Sequence, residues 1–389
     1  MQPSALTQRS DLSRVQPRIH LSLAGSRLSE SAVAACLGGH LVLNSDAPRI
    51  LISRMSAMGD TILTLPVACA LRERFPNAYL GWVVERRASM VVQEHECLDA
   101  VIVLDRGWFT SPSAMYQARQ ELRPHGFEVA IDCQSMTKSA LACWLSGAKL
   151  RVGCRGKYGC ELSPYLNNHL VEPVAPHLVD RTLELLGPLG IESPEVNWKY
   201  PIDAASEAQA ADLLASLDLQ QEFAVMNPGA TWDSRRWEMD RFGAVANYLA
   251  QQHGLPTLVV WGSQREREWA REIVAHANGN ASLAPDTQLA TLAAVLKRSR
   301  IFLSADTGPM HLAVAVGAPS ISLHGVTRPA DSGPYGSPHC SIQVRHDPMS
   351  RRQRKRTDNS AMRLITPELV NRHCDSLLAA TEASVRDAA

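Results

Sequence analysis

Apolar residues gather along this chain in short runs, each followed by small or polar residues and then by a stretch with helical spacing. In the first half the runs are Ile50 to Ile52, Tyr79 to Val84, Ala100 to Leu104 and Val129 to Asp132, with a fifth near Arg151 to Gly153. A second series opens at Phe223 to Asn227 and continues at Thr257 to Trp261, Ile301 to Ser304 and Ser320 to Leu323. Helices are expected near Arg241 to Gln252, Glu266 to Ala277 and Gln288 to Lys297. Short apolar runs alternating with helices predict parallel βα units, so the fold class is α/β with two Rossmann-like domains. Gly190 to Asp203, with Pro194 and Pro201, marks the boundary between them. The expected divisions are a flexible extension over 1-47, a first domain over 48-190, a linker over 191-205 and a second domain over 206-366. Residues 367-389 follow, with an amphipathic helix over Pro367 to Val385.

Two of the strand-to-helix turns carry chemistry. In RILISRMSAMGDTILTLPVACALRERFP, Arg49 to Pro76, a strand runs into a tight turn at Ser56 to Gly59 and an amphipathic helix over Thr61 to Arg74, with Asp60 at its start. An aspartate there is most often only an N-cap. In IFLSADTGPMHLAVAV, Ile301 to Val316, a buried strand meets Asp306, Thr307 and Gly308, and Pro309 suits the first helical position. Free amides of Thr307 and Gly308 at the positive end of that helix would point at an anion. The plain alternative is a strand-to-helix turn in which Asp306 or Thr307 caps the helix. Ligands of open parallel sheets bind beyond the carboxyl ends of the strands, so if the two sheets face each other, Asp60 and Asp306 border one cleft.

Composition narrows the partners. The 389 residues are 45% hydrophobic, and 39 Lys+Arg balance 39 Asp+Glu, so the chain as a whole is not built to bind nucleic acid. Charge is local instead. Arg345 to Arg356 (RHDPMSRRQRKR) holds a dense basic run from Arg351 to Arg356 broken only by Gln353. A solvated loop is the simplest reading of it, and contact with anionic lipid the functional one. The nine cysteines form no CxxC pair, with Cys154 and Cys160 the only close spacing, which suits a reduced, cytosolic setting. No apolar stretch approaches the ~18 residues of a membrane span. Ala32 to Leu43 imitates a signal-peptide core but is broken by Gly38 and Gly39 and preceded by a long mixed-charge segment, so export is not expected.

Six ordered segments resemble the heptosyltransferase family, which adds heptose from a nucleotide sugar to lipopolysaccharide core. They are SRMSAMGD (Ser53 to Asp60), DCQSMTKSA (Asp132 to Ala140), HLVDRTLELL (His177 to Leu186), NPGATWDSRRW (Asn227 to Trp237), WGSQRERE (Trp261 to Glu268) and SADTGPMHL (Ser304 to Leu312). The resemblance runs from about Arg49 to the last helix. It implies a GT-B glycosyltransferase fold, two Rossmann-like domains facing across a cleft, with the C-terminal helix crossing back to the first domain.

It also implies roles. Inverting sugar transfer needs a base for the acceptor hydroxyl, positive charge or oriented amides for the leaving diphosphate, and a nucleoside pocket. Asp60 matches the family's MGD acid and is expected to be the base. Arg235 stands where the family often has lysine, with Arg236 beside it, and either would neutralise the diphosphate. Arginine brings a forked contact that lysine lacks. Thr231, Glu266, Thr287, Asp306, Thr307, Gly308 and His311 make up the rest of the expected donor site, Glu266 as the ribose-contacting acid. The Thr307 and Gly308 amides would hold the diphosphate, while Asp306 would contact sugar hydroxyls or orient its loop. Lys138 is a candidate for an acidic acceptor or else an exposed lysine, and His177 and Arg181 read as structural or interdomain.

The sequence departs from the family at Ala284 to Leu289 (APDTQL), where Thr287 replaces a larger apolar residue of some members, and between Glu85 and Lys157, which matches only in patches. Base selectivity and the acceptor stay open on that account. The expected protein is a cytosolic, metal-independent enzyme, peripheral on the inner membrane, that uses an ADP-sugar as co-substrate, no cofactor and a lipid-linked saccharide acceptor. No Asp-x-Asp occurs to hold a metal. A catalytically inactive nucleotide-sugar scaffold is the alternative. A nicotinamide-dependent oxidoreductase is the weakest reading, because no GxGxxG follows any strand.

Overall fold

The computed structural model describes residues 33–37, 40–43 and 47–388. The expected extension over 1-47 lies mostly outside them. Within it, β1 (Val33–Leu37) and β2 (His40–Leu43) pair antiparallel, Leu37 opposite His40.

The first large sheet contains β3 (Arg49–Ser53), β4 (Tyr79–Glu85), β5 (Ala100–Leu104), β6 (Val129–Asp132), β7 (Leu150–Cys154) and β8 (His169–Val171). Its spatial order is β5-β4-β3-β6-β7-β8, with every pair parallel. The second contains β9 (Ala224–Asn227), β10 (Thr257–Val259), β11 (Ala281–Leu283), β12 (Ile301–Ala305), β13 (Ser320–Leu323) and β14 (Cys340–Ile342), in the order β11-β10-β9-β12-β13-β14. The two orders are the same doubly wound path. Each sheet starts at a central strand, grows outward on one side, then returns to grow on the other. The reversal leaves a crevice at the carboxyl ends of β3 and β6 in one sheet and of β9 and β12 in the other. Four of the sequence motifs follow those four strands.

Central strands are buried on both faces because helices cover both sides of a parallel sheet: β6, β9 and β12 have no exposed residue. That explains why their apolar runs were legible. The edge strands β8, β11 and β14 have three residues each and are only partly buried, so they lack such a run and sequence reading passes over them.

Three expectations need correction. The helix placed at Thr61 to Arg74 begins at Met58 and is broken into Met58–Ile62 and Leu65–Arg74. Pro66 lacks an N–H and its ring opposes the carbonyl four residues back, so the helix cannot run through. The basic run, expected as a solvated loop, forms a helical turn at Arg351–Arg354 whose last carbonyl accepts a hydrogen bond from Ser234 Oγ at 2.6 Å. The last helix, Pro367–Ala388, packs on the second sheet's own layer instead of crossing to the first domain. Its Val370, Cys374, Leu377 and Leu378 join one core with Trp237, Phe242 and Leu323. Tyr248 OH donates to the Asp375 carboxylate on that helix at 2.9 Å, and Arg300 reaches Thr381 at 2.7 Å. The apolar stripe of a helix is satisfied by the nearest uncovered sheet face, which here belongs to the second domain.

Residues His177 and Asp180 join the halves. His177 Nε2 lies 3.1 Å from the Gly333 carbonyl, and Tyr335 OH donates to Asp180 Oδ1 at 2.5 Å. His177 also accepts from Val179 N as an N-cap, while Arg181 stacks over Tyr158 at 4.2 Å.

Candidate active site

Asp60 is not a cap. The N-cap of Met58–Ile62 is Ala57, which offers no side-chain bond, and Asp60 is the third helical residue. Its Oδ2 pairs with Arg54 Nη2 at 2.6 Å; the Asp60 side chain is 42% exposed and that of Arg54 only 6%. Among the described residues nothing bonds Oδ1. The loop after β6 and the helix start beyond it, Thr137–Ser146, hold this turn in place through three contacts. Cys133 O accepts from Arg54 Nη1 at 2.8 Å, Gln134 Oε1 accepts from Met55 N at 3.0 Å, and Lys138 Nζ donates to Ser56 Oγ at 2.7 Å. That loop is itself fixed by fully buried Asp132, whose carboxylate accepts from Ser135 N, Ser163 Oγ and Asn167 Nδ2. Burial pushes the Asp132 carboxyl above its ordinary value, and those hydrogen bonds work against the rise. Lys138 is therefore not the exposed lysine of the plain reading. It also pairs with Glu85 at 2.7 Å, and both side chains are 16% exposed, so part of its charge is already matched.

On the second sheet, the loops after β9 and β12 are tied together. Asn227 Nδ2 donates to Thr307 Oγ1 at 3.3 Å while its Oδ1 accepts from Gly229 N at 3.1 Å. Thr307 is the N-cap of Gly308–Ala315, but its hydroxyl turns to Ser304 and the Ala305 carbonyl and does not bond the helix. First-turn amides have no intrahelical acceptor, so this end is left able to receive an anion. Arg235 Nη1 donates to the Asp306 carbonyl at 3.0 Å and pairs with its Oδ2 at 3.4 Å. Burial would raise the Asp306 carboxyl, yet Arg235, His324, His311 and a hydrogen bond with Thr327 outweigh it and hold the group below its ordinary value. Asp306 is thus a buried anion that orients Arg235. Arg236 points elsewhere, over the Trp269 ring at 5.7 Å, and its carbonyl accepts from Asn359. Of the adjacent arginines, only Arg235 faces Asp306.

His311 is buried, with Nε2 3.9 Å from Asp306 Oδ1. Burial lowers its pKa, opposed by Asp306 and then Asp60. Its Nδ1 and the Arg235 Nε are both buried without a partner among the described residues.

The two motifs meet across the halves. A Cβ on Gly59 would stand 2.5 Å from His311 Cδ2 and 3.4 Å from Gly308 Cα. Beside this contact opens a cleft of about 1320 Å³, lined by Ala57, Met58 and Gly59 from the first sheet's turn and by Thr231, Thr307 and Gly308 from the second. Asp60 follows directly on that first wall. Glu266 and Thr287 line the cleft as well. Glu266 does structural work at the same time, since Oε2 accepts from Gly262 N at 2.8 Å, while a Cβ on Gly229 would lie 3.0 Å from Oε1. The Thr287 hydroxyl turns back to Pro285 O at 2.8 Å. Sequence reading missed Arg54 and Glu85, the partners of Asp60 and Lys138. It also missed a wall formed by Met90, Glu94 and Glu96 with Lys199 from the linker, where Lys199 and Glu96 pair at 2.7 Å. Only Arg54 had a signal, lying inside a quoted motif one residue beyond its strand.

A sequence profile of glycosyltransferase family 9 (heptosyltransferase) matches residues 115–362, and the chain belongs to that family. Lipopolysaccharide heptosyltransferase 1 of Escherichia coli (strain K12) is 28% identical over 299 residues, spanning 74% of this chain and 91% of that protein. Lipopolysaccharide heptosyltransferase 1 of Pseudomonas aeruginosa is 28% identical over 301 residues, 74% of this chain and 81% of that one. The crystal structure of the family 9 glycosyl transferase from Veillonella parvula DSM 2008 matches with a TM-score of 0.76 at 22% identity, covering 87% of this chain and 99% of that one. E. coli heptosyltransferase WaaC with ADP-2-deoxy-2-fluoro heptose matches at 0.67 and 23% identity, covering 84% and 99%. The fold is GT-B and the protein is a glycosyltransferase.

Gly59→Ala should lower activity by about tenfold or more, because the added methyl forces apart the helix starts that shape the cleft. Steady-state transfer assays check this, and wild-type turnover would show that the contact at His311 is dispensable. A second expectation concerns acid stability. His324, buried with Nε2 2.7 Å from Ser322 Oγ, is pushed by burial from 6.5 down to about 4. A depressed histidine gives stability that is full above the unfolded value and is lost as pH falls toward the folded one. The loss for this residue is about 2 kcal/mol between about pH 7.5 and about pH 5. Urea midpoints should therefore drop less over that interval in His324→Gln than in the wild type, and equal drops would contradict the assignment.

Proposed function

We propose that this family 9 glycosyltransferase moves a heptose-like sugar from an ADP-sugar to lipopolysaccharide core or a related lipid-linked saccharide, with inversion and without a metal. One observation carries the reading. The Asp60 turn of the first sheet and the Thr307–Gly308 helix start of the second, with Arg235 behind it, adjoin a single cleft. The lipopolysaccharide heptosyltransferases of E. coli and P. aeruginosa support the class of sugar and acceptor.

In this mechanism the acceptor hydroxyl attacks the anomeric carbon, and its proton passes to the Asp60 carboxylate as the new C–O bond forms. The bond from the anomeric carbon to the diphosphate oxygen breaks on the opposite face, and the electron pair leaves with the nucleoside diphosphate. One displacement inverts the centre. Arg235 and the amides of Thr307 and Gly308 take up the charge that develops on the leaving oxygen, where preorganised donors have their largest effect. Asp306 orients Arg235, His311 closes the site against Gly59, and Arg236 serves the fold. Glu266, Thr231 and Thr287 receive the nucleoside, Glu266 accepting from the ribose diol. Lys138, through its link to Ser56, faces the acceptor side.

On the same reading the protein works at the cytoplasmic face of the inner membrane, held peripherally. Among the described residues no helix is long and apolar enough to cross a membrane. Arg352, Lys355 and Arg356 are exposed, and no salt bridge to a described residue neutralises them. A cluster of this kind attracts anionic lipid at about 1 kcal/mol per residue near the surface.

Asp60→Asn should reduce turnover by about 10²-fold or more while leaving ADP-sugar affinity nearly unchanged, since a positioned base acts in the transition state. Turnover near wild type with a working acceptor would remove Asp60 from the chemistry. Exhaustive EDTA treatment should leave the rate intact, and activity lost to EDTA and restored by magnesium would defeat the metal-free mechanism. In sedimentation with vesicles, phosphatidylglycerol should retain the protein and pure phosphatidylcholine should not. Equal retention on both would remove the electrostatic contact.

A further inference from the structure

Arg54 is a buried arginine with an unusual set of obligations. Its backbone N–H donates to Val83 O at 3.3 Å and its carbonyl accepts from Trp82 Nε1 at 3.2 Å, both on β4. Its Nη1 donates to Cys133 O beyond β6, and its Nη2 meets Asp60 Oδ2. The Arg54 backbone is therefore tied to β4 on one side of β3, while its guanidinium is tied to the residue after β6 on the other. Its Nε has no partner among the described residues, and Asp60 is the only described carboxylate in ion-pair contact with it. A buried cation left unpaired is strongly unfavourable, so the contact with Asp60 is a condition of the turn's structure and not a surface ornament.

The pair is lopsided. Arg54 is enclosed while Asp60 is half open, so the guanidinium holds Oδ2 and leaves Oδ1 without a bond to a described residue. We infer that Arg54 is the positioning residue for the Asp60 base, fixing one carboxylate oxygen so that the other meets the acceptor hydroxyl in a single orientation. This rests on the proposed role of Asp60. The anchor at Cys133 couples the base to the crevice between β3 and β6. It gives the loop after β6 a part in catalysis that none of its own side chains requires.

The chemical consequence is geometric. A carboxylate on a helical turn can swing about two torsions, and a misplacement of about 1 Å can cost about 10²-fold in rate. Arg54 removes that freedom before substrate arrives. Lysine at the same place could reach Asp60 or the Cys133 carbonyl with one ammonium but could not fork between them.

The test is a double-mutant cycle read by transfer kinetics and by calorimetry of ADP-sugar binding. Arg54→Gln should lower kcat by about 10- to 100-fold and change donor Kd by less than about threefold, and Arg54→Lys should recover part of the loss. In an Asp60→Asn background, Arg54→Gln should cost less than about threefold more, because both substitutions remove the same oriented carboxylate. Equal losses in both backgrounds, or unchanged kcat in Arg54→Gln while Asp60→Asn is crippled, would overturn the inference. Wild-type turnover in Asp60→Asn would instead overturn the base assignment beneath it. If Arg54→Gln does not fold, the same cycle with Arg54→Lys decides the matter by the same non-additivity.

Discussion

The close approach of two helix starts governs this structure. The turn after β3 and the turn after β12 come together at Gly59, Gly308 and His311, and the space between them has no room for a side chain on Gly59. Glycine here is a requirement of packing, since the turn needs no left-handed backbone at that residue. Because both sheets follow the same doubly wound order, the two contacting turns both lie at topological switch points. Two crevices that would each bind a ligand alone are thereby merged into one cleft with two kinds of wall.

Charge is divided between those walls. On one side buried Arg54 faces half-open Asp60, and on the other Arg235 faces enclosed Asp306. The asymmetry matters for chemistry. Asp306 spends its charge on Arg235 inside the protein, which leaves it poorly suited to touch a sugar, whereas Asp60 keeps one oxygen free. Burial of His311 and His324 favours their neutral forms, so fixed positive charge behind the Thr307–Gly308 helix start comes from Arg235 and the helix amides, while Lys199 on the cleft wall is paired with Glu96. That combination suits a leaving diphosphate, and it frees the histidines for packing.

Much of this was readable in advance, for a physical reason. Central parallel strands are buried on both faces and must be apolar, so β3, β6, β9 and β12 announced themselves, and the motifs just past them marked the cleft. The helix expected from Thr61 differs because Pro66, five residues beyond that start, begins a second helix at Leu65–Arg74 as readily as it would end one, and Asp60 lies inside the preceding helical turn without capping it. The last helix was misplaced because its apolar stripe says that it must be covered but not by which domain. Partner choice was the least legible. Nothing in the spacing of Lys138 and Glu85, or of Cys69 and Cys97, whose sulfurs lie 3.9 Å apart, shows that they meet. Spacing singles out Cys154 and Cys160 instead. Long-range pairs of this kind depend on the crossover path, which hydrophobic periodicity does not encode.

In the proposed mechanism one cleft performs a single displacement at the sugar's anomeric carbon, with Asp60 beside one wall and the diphosphate held on the other. The most direct measurement is the anomeric configuration of the product, determined by NMR after the full-length protein has been incubated with ADP-heptose and a lipid A-based acceptor. One added heptose whose anomeric centre is inverted relative to the donor is expected of this mechanism. A product with retained configuration, or no heptose transferred from ADP-heptose under conditions where another nucleotide sugar is consumed, would contradict it.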